Sequence, residues 1–183
     1  MRSQRIDPHA EAGRLLDEQI PGDLHDDLVH DSIATIELLF DGLSVTRRPP
    51  SPSGDGCGVD GTYNPGPPPR IVIADDVVPA RQVFTVLHEL GHHLIENDGP
   101  LNELNISGDD RRDEAICNEV AASLLIPPDV GDRYISANFT AADVAELHAN
   151  VQASRSACCV AAVRPGEPPR ASRSANRTAW PRR

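Results

Sequence analysis

Two histidines and a glutamate lie within one five-residue segment, His88-Glu89-Leu90-Gly91-His92. On a helix, His88 and His92 project from the same face one turn apart, so both imidazoles can reach one tetrahedral metal ion. Glu89 then lies where its carboxylate can contact a metal-bound water without ligating the metal. Zinc lowers the pKa of such a water toward about 7, and a glutamate can accept its proton. The segment predicts hydrolytic zinc chemistry; the alternative is that both histidines are ordinary residues at the edge of a core.

A catalytic zinc site needs a third protein ligand and an open coordination position. Glu114 and Asn118 are four residues apart in a segment with helical periodicity, so they share a helix face. We expect Glu114 to ligate the metal and Asn118 to accept a hydrogen bond from a ligand imidazole, which fixes the ring and its tautomer. Glu119 is rotated by about 100° from Asn118. It is the weaker candidate, and we expect it on a solvated face.

Five other side chains are considered for the site. Glu96 is a weaker ligand candidate because it lies near the end of its helix. We expect His93 to face a neighbouring loop or solvent, and Cys117 to be a small buried hydrophobic residue. Tyr134 and His148 could each supply a transition-state hydrogen bond or contact substrate, but their position relative to the motif is not predictable from the sequence.

Two predicted helices carry the candidate ligands. The first runs from residue 79 to 97, with apolar residues at i, i+4, i+7 and i+11, and it ends at Asp98-Gly99-Pro100. The second runs from residue 111 to 126 and ends before Pro127-Pro128. The residues between them, 101–109, are predicted to form a loop.

The remaining elements are shorter. Residues 10–40 are predicted to be mostly helical with a break at Pro21-Gly22, and further helices are expected over 140–148 and 154–163. Strands are expected over 43–46, over 57–63 as a strand that closes a hairpin, and over 70–74. In the last of these, Ile71, Val72 and Ile73 are expected at the edge of the cleft, where an extended substrate can pair with them. The segment can also be a core strand, and both can be true at once.

Charge is distributed unevenly along the 183 residues. The formal net charge is −11, but residues 164–183 contain six arginines and one glutamate, so that segment carries +5 and the remainder −16. An acidic body is repelled by phosphate backbones, so we expect no direct binding of nucleic acid. The basic segment is poor in apolar residues, and we expect it to be a disordered tail.

No feature of the sequence indicates export or membrane insertion. No apolar run approaches the roughly 20 residues that span a bilayer. Residues 1–10 lack the apolar stretch of a signal peptide. We therefore expect a cytoplasmic protein without membrane contacts, and its four cysteines, which have no framework spacing, are expected to be reduced.

Residues 81–94 and 114–127 together closely resemble the ImmA/IrrE family of zinc metallopeptidases. The resemblance is dense over residues 70–130 and looser to residue 163. It implies zinc ligands at His88, His92 and Glu114, with Glu89 as the catalytic carboxylate. It further implies a cytosolic protease, and known members of the family cleave a helix-turn-helix repressor and so switch on mobile-element or stress genes.

These observations lead us to expect an α+β, zincin-like metallopeptidase domain. It should contain a small twisted β-sheet, an active-site helix that carries the HExxH motif, and a following helix that carries the glutamate ligand. We expect a disordered N-terminus over residues 1–10, the peptidase domain over 11–163 and the basic tail over 164–183.

Three functions are compatible with this interpretation. The first is a zinc endopeptidase that cleaves a helix-turn-helix transcriptional repressor. The second is a non-catalytic, zinc-containing regulator that acts by binding its partner. The third is a peptidase that cleaves the antitoxin of a toxin–antitoxin pair. The intact Glu89 favours an enzyme over a regulator, because a protein that only binds has no physical need for a carboxylate there.

Overall fold

The structure, a computed structural model, describes residues 6–49, 60–75, 79–105, 110–135, 138–151 and 153–163. Its helices are α1 (Pro8–Gln19), α2 (His25–His30), α3 (Ser32–Leu39), α4 (Pro79–Glu96), α5 (Gly99–Asn105), α6 (Asp110–Leu125), α7 (Pro128–Gly131), α8 (Ala141–Asn150) and α9 (Arg155–Ala162), with a 3-10 turn at Gly22–Leu24. Its strands are β1 (Ser44–Arg48), β2 (Gly61–Asn64) and β3 (Arg70–Ala74). The predicted α+β fold is confirmed, and the expected tail, residues 164–183, lies outside the described residues.

The two helices predicted to carry the ligands, α4 and α6, pack against each other at the centre of the fold. At their crossing, the backbone of Gly91 lies directly on Cys117: a Cβ atom at Gly91 would be 2.8 Å from the Cys117 Cα. A residue without a side chain is therefore required there for the two backbones to approach so closely. Fully buried aliphatic side chains surround the crossing, among them Leu87, Leu90, Leu94, Ile116 and Val120.

Helix α1 packs on α6 and also contacts α4. It begins at Pro8, whose fixed φ suits the first helical turn, and the Asp7 side chain caps it. The prediction that residues 1–10 are disordered is therefore wrong for residues 8–10. The buried residues of α1 fall at helical spacing, at Ala12, Leu15 and Leu16.

Helix α5 occupies much of the segment predicted to be a loop. The loop prediction for residues 101–109 is wrong up to residue 105, and residues 106–109 lie outside the described residues. The Asp98 carboxylate starts the helix by accepting the Leu101 N–H at 2.9 Å. Arg14 of α1 donates to the other oxygen of the same carboxylate at 2.8 Å. This ion pair between distant elements holds the cap in place, and local sequence patterns do not reveal it.

The sheet has the strand order β1-β3-β2. Strand β1 runs parallel to β3, and β2 runs antiparallel to it, with Val45 and Tyr63 on either side of Ile71. Strand β2 therefore forms its hairpin with the following strand and not with β1. Strand β3 is the central strand, and its main chain is paired on both sides. Its two isoleucines, Ile71 and Ile73, are buried in the core.

The C-terminal helices α8 and α9 pack against each other, and α9 packs on α6. The helix predicted over 140–148 is present as α8, and a reciprocal capping box between Thr140 and Asp143 begins it. Ser154 caps α9. Among the described residues, no helix is both long enough and apolar enough to cross a bilayer.

Replacement of Gly91 by alanine should destabilise the protein. An alanine normally stabilises a helix interior by up to about 1 kcal/mol relative to glycine. At Gly91, however, the added methyl group would meet the Cys117 backbone, and overpacking of this kind costs about 1–3 kcal/mol. We expect the free energy of unfolding in urea to fall by about 1–2 kcal/mol. Gly13→Ala is the matched control, because no atom lies within 4 Å of its Cβ position on α1, and it should raise stability. Equal stabilisation by both changes would show that the helices do not cross closely at Gly91.

Candidate metal centre

Three side chains from two helices converge at one point beside the helix crossing. His88 Nε2 lies 3.3 Å from Glu114 Oε2, and His92 Nε2 lies 3.5 Å from Glu114 Oε1. The potential ligand atoms of the three residues all lie within 4.8 Å of one another. Tetrahedral ligands at zinc distances of about 2.0–2.1 Å are separated by roughly 3.3 Å. The spacing of the donor atoms therefore fits a single tetrahedral ion, and two imidazoles with one carboxylate are a donor set that zinc accepts.

The two histidines lie on one face of α4, with ring centroids 5.2 Å apart, and Glu114 comes from the facing surface of α6. Exposure rises across the group: 15% of the His88 side chain is exposed, 27% of His92 and 56% of Glu114. The His88 side of the group is therefore buried in the protein, and the Glu114 side is open to solvent. This opening leaves room for a fourth, non-protein ligand.

Asn118 lies where the sequence predicts, one turn after Glu114. Its Oδ1 is 3.2 Å from His88 Nδ1. Because an amide oxygen only accepts hydrogen bonds, Nδ1 carries the proton and the lone pair of Nε2 points to Glu114. Burial, followed by the nearby His92 charge, lowers the pKa of His88, which favours the neutral imidazole that binds metals.

Glu89 lies on the same helix but belongs to a different part of the site. Its side chain is buried, with the residue 7% exposed, and it is not one of the three convergent ligands. Its carboxylate accepts a hydrogen bond from the main-chain N–H of Tyr63 on β2. The pKa of Glu89 is raised to about 7, chiefly by burial; the Tyr63 N–H opposes this shift, and the charge of Glu114 adds to it. A carboxylate with a pKa near neutrality can both accept and release a proton at physiological pH.

The strand beside Glu89 is β2, and this corrects the prediction for Ile71, Val72 and Ile73. Those residues form the central strand β3, whose main chain is already paired on both sides, so the expected edge position is wrong. The open edge belongs to β2. The Ala74 N–H donates to the Asp60 carbonyl, so the alternation of an antiparallel ladder turns the main-chain groups of Gly61 and Tyr63 away from β3.

Gly61 lets this strand approach the helix. A Cβ atom there would lie 2.9 Å from Glu89 Oε1 and would overlap the Thr85 side chain. Sequence reasoning missed both Gly61 and Tyr63 as parts of the site. The available signal was a glycine at the start of a short strand, which often marks a close approach of another element.

The prediction that His93 faces a neighbouring loop or solvent is wrong. His93 is 7% exposed, its Nδ1 lies 3.0 Å from the Tyr63 hydroxyl, and its ring packs edge-on against Phe40 at 5.0 Å. Burial lowers the pKa of His93 and raises that of Tyr63. Both groups are therefore neutral near pH 7, and the Tyr63 hydroxyl can donate to the imidazole.

The structure also places three other residues considered for the site: Glu119, Cys117 and Glu96. Glu119 is not on a solvated face, because its Oε2 contacts His9 Nδ1 of α1 at 3.2 Å and its side chain is largely buried. Cys117 is fully buried, as predicted, and packs in the core. Glu96 is exposed at the end of α4 and is not among the convergent ligands.

Tyr134 and His148 are half-buried, Tyr134 after α7 and His148 on α8. Within the described part of the chain, no hydrogen bond joins either of them to the three convergent side chains. Their suggested roles stay predictions.

The buried Glu89 should make the stability of the metal-free protein depend on pH. Because its pKa is raised from 4.5 to about 7 in the folded state, the native protein binds this proton more tightly than the unfolded chain does. The free energy of unfolding should therefore fall as pH rises from about 4.5 to 7. Glu89→Gln should remove this loss. The free energy of unfolding of the Glu89→Gln variant should be about 2–3 kcal/mol higher than that of the wild type at pH 8, with little difference near pH 4.5.

The measurement is urea unfolding after chelation at several pH values. Glu96→Gln, at an exposed glutamate of the same helix, is the control and should follow the wild type. A constant difference between Glu89→Gln and the wild type at all pH values would contradict the raised pKa.

The geometry agrees with one comparison to known proteins. The family model Peptidase_M78, described as the IrrE N-terminal-like domain, matches residues 44–162. No curated protein matches the chain. The matched range contains the sheet, α4 and α6, and it leaves α1, α2 and α3 outside. The resemblance to the ImmA/IrrE metallopeptidases is therefore confirmed, and the chain belongs to the Peptidase_M78 family.

Proposed function

We propose that this chain is a zinc-dependent endopeptidase that hydrolyses a peptide bond in a protein substrate. The observation that carries the proposal is the convergence of His88, His92 and Glu114, with the buried Glu89 beside them on α4. Two neutral imidazoles and a carboxylate are a donor set of catalytic zinc sites, which keep a further position open. The exposed side of Glu114 provides that opening.

The side chains have distinct roles in the proposed reaction. A zinc ion held by His88, His92 and Glu114 would supply a Lewis acid that polarises the substrate carbonyl and lowers the pKa of a water molecule. The Glu89 carboxylate accepts the proton of the attacking water and delivers it to the leaving amide nitrogen. The Asn118 oxygen holds the His88 ring in the tautomer that presents Nε2. The Tyr63 N–H keeps the Glu89 carboxylate beside β2.

The edge of β2 supports the choice of an extended protein segment as substrate. The Gly61 main-chain groups and the Tyr63 carbonyl face away from β3, on the part of β2 that lies beside Glu89. An extended peptide can add to such an edge by main-chain hydrogen bonds, without a pocket that recognises a chain terminus. This arrangement favours cleavage within a chain.

We further propose that the substrate is a helix-turn-helix repressor in the cytoplasm. Family membership supports this choice, and so does the acidic charge of the chain outside residues 164–183, because DNA-binding proteins present basic surfaces. An antitoxin is the alternative substrate. Incubation with proteins encoded beside this gene tests the two: a cleaved helix-turn-helix protein supports the first, and a cleaved antitoxin supports the second.

The zinc content and the role of Glu89 can be tested together. We expect one zinc per chain by elemental analysis. Glu89→Gln should keep the zinc and the fold, because glutamine is nearly isosteric, but it cannot accept the proton. Cleavage of a degenerate peptide library, followed by mass spectrometry, should slow by roughly 10²–10⁴-fold. Wild-type cleavage by this variant would contradict the role of Glu89, and a zinc-loaded wild type that cleaves nothing would favour a regulator that acts by binding.

The identity of the third ligand has its own matched pair of variants. Glu114 and Glu119 lie on the same helix, but only Glu114 joins the two histidines. Glu114→Ala should weaken zinc binding by roughly 100-fold or more, since even partners of ligands are worth 10–100-fold. Glu119→Ala, which loses the His9 contact instead, should bind zinc within a few-fold of the wild type. A competition titration with a chromophoric chelator measures both, and the reverse order would overturn the assignment.

A further inference from the structure

The buried imidazole of His93 connects the active-site helix to the edge strand. It follows the proposed ligand His92 by one residue and therefore points about 100° away from the metal face. Its Nδ1 lies 3.0 Å from the Tyr63 hydroxyl, and the two rings meet edge-on with centroids 5.5 Å apart. His93 thus contacts β2 directly, whereas it is not among the convergent ligands.

Tyr63 is held by α4 at two points. Its main-chain N–H donates to the Glu89 carboxylate, and its hydroxyl contacts His93. Glu89 and His93 are four residues apart, so the two contacts lie one turn apart on the same face of the helix. Gly61, two residues before Tyr63, allows the strand to come close enough for both.

Besides these contacts, an ion pair between Arg81 of α4 and Asp60 holds the residue that precedes β2, but the strand itself has few other restraints. It is four residues long, and its only neighbour in the described sheet is β3. Pairing with β3 fixes the register of β2. It does not fix the distance between β2 and α4, which is set by side-chain contacts. A displacement of about 1 Å at a catalytic group can cost on the order of 100-fold in rate, so the contacts that set this distance matter for catalysis.

We propose that His93 is a positioning residue of the peptidase site, which holds β2 on α4 through the Tyr63 hydroxyl and thereby keeps the Tyr63 N–H on the Glu89 carboxylate. The inference rests on the proposed peptidase function for its effect on rate. Its structural part, the fixation of the Tyr63 N–H, is independent of that function. The two parts are therefore tested by separate measurements.

The structural part is tested by amide hydrogen exchange, measured by NMR on the full-length protein. His93→Leu removes the contact with the hydroxyl, and His93→Asn places a side-chain oxygen near the former Nδ1. The Thr62 amide is the internal reference, because Thr62 pairs with Val72 of β3. Relative to it, the residue 63 amide should exchange about three- to tenfold faster in His93→Leu. This factor corresponds to the loss of one net hydrogen bond. In His93→Asn the relative exchange should stay within twofold of the wild type.

Phe40→Leu is the matched control, because Phe40 packs edge-on against the His93 ring and its side chain forms no hydrogen bond to Tyr63. It should leave the residue 63 amide unchanged. The proposal is overturned if His93→Leu exchanges like the wild type, or if Phe40→Leu speeds exchange as much as His93→Leu does.

The catalytic part is tested on the library peptide that the wild type cleaves fastest. His93→Leu should lower kcat about three- to tenfold with an unchanged zinc content and little change in KM, and His93→Asn should retain the wild-type kcat. Tyr63→Phe should lower kcat equally, and the double variant should be no slower than either single variant, because both act through one contact.

A wild-type kcat in His93→Leu, or multiplicative losses in the double variant, would overturn the catalytic part. A zinc-loaded wild type that cleaves no peptide would instead contradict the proposed function. The amide exchange would still decide whether His93 positions β2.

Discussion

The close crossing of α4 and α6 at Gly91 and Cys117 is the constraint on which the site depends. Both histidines come from one helix and the glutamate from the other, so the distance between the helices sets the distance between the donor atoms. A side chain at Gly91 would separate the backbones and move Glu114 away from the imidazoles. The surrounding aliphatic core and helix α1, which packs on α6 and also contacts α4, hold this crossing in place.

The electrostatics of the site follow from the same packing. Burial leaves His88 neutral and raises the pKa of Glu89 to about 7, while Glu114 remains at the solvent. A buried carboxylate beside a second carboxylate is costly in an otherwise acidic protein. A divalent cation held by the three donors would offset this cost. The arrangement that suits hydrolysis is therefore also one that couples metal binding to the stability of the fold.

The candidate ligands could be predicted from the sequence because helical spacing places His88 with His92, and Glu114 with its partner Asn118, on one face of each helix. Their convergence also needs the crossing of the two helices. The strand order, the position of His93 and the involvement of Tyr63 could not be predicted. They depend on which strand lies against α4, and this is decided by tertiary contacts of single residues. Helix α5, which follows Asp98, could not be predicted for the same reason, because an ion pair between Asp98 and the distant Arg14 stabilises its N-terminal cap.

The most direct test of the central claim, that the crossing helices build one metal site from two imidazoles and one carboxylate, is X-ray absorption spectroscopy of the zinc-loaded protein. We expect only nitrogen and oxygen neighbours at about 2.0–2.1 Å, with multiple scattering from two imidazole rings. Removal of the Glu114 carboxylate should change the oxygen neighbours of the zinc and leave both imidazoles bound. A sulfur neighbour near about 2.3 Å, or a number of imidazoles other than two, would contradict the account.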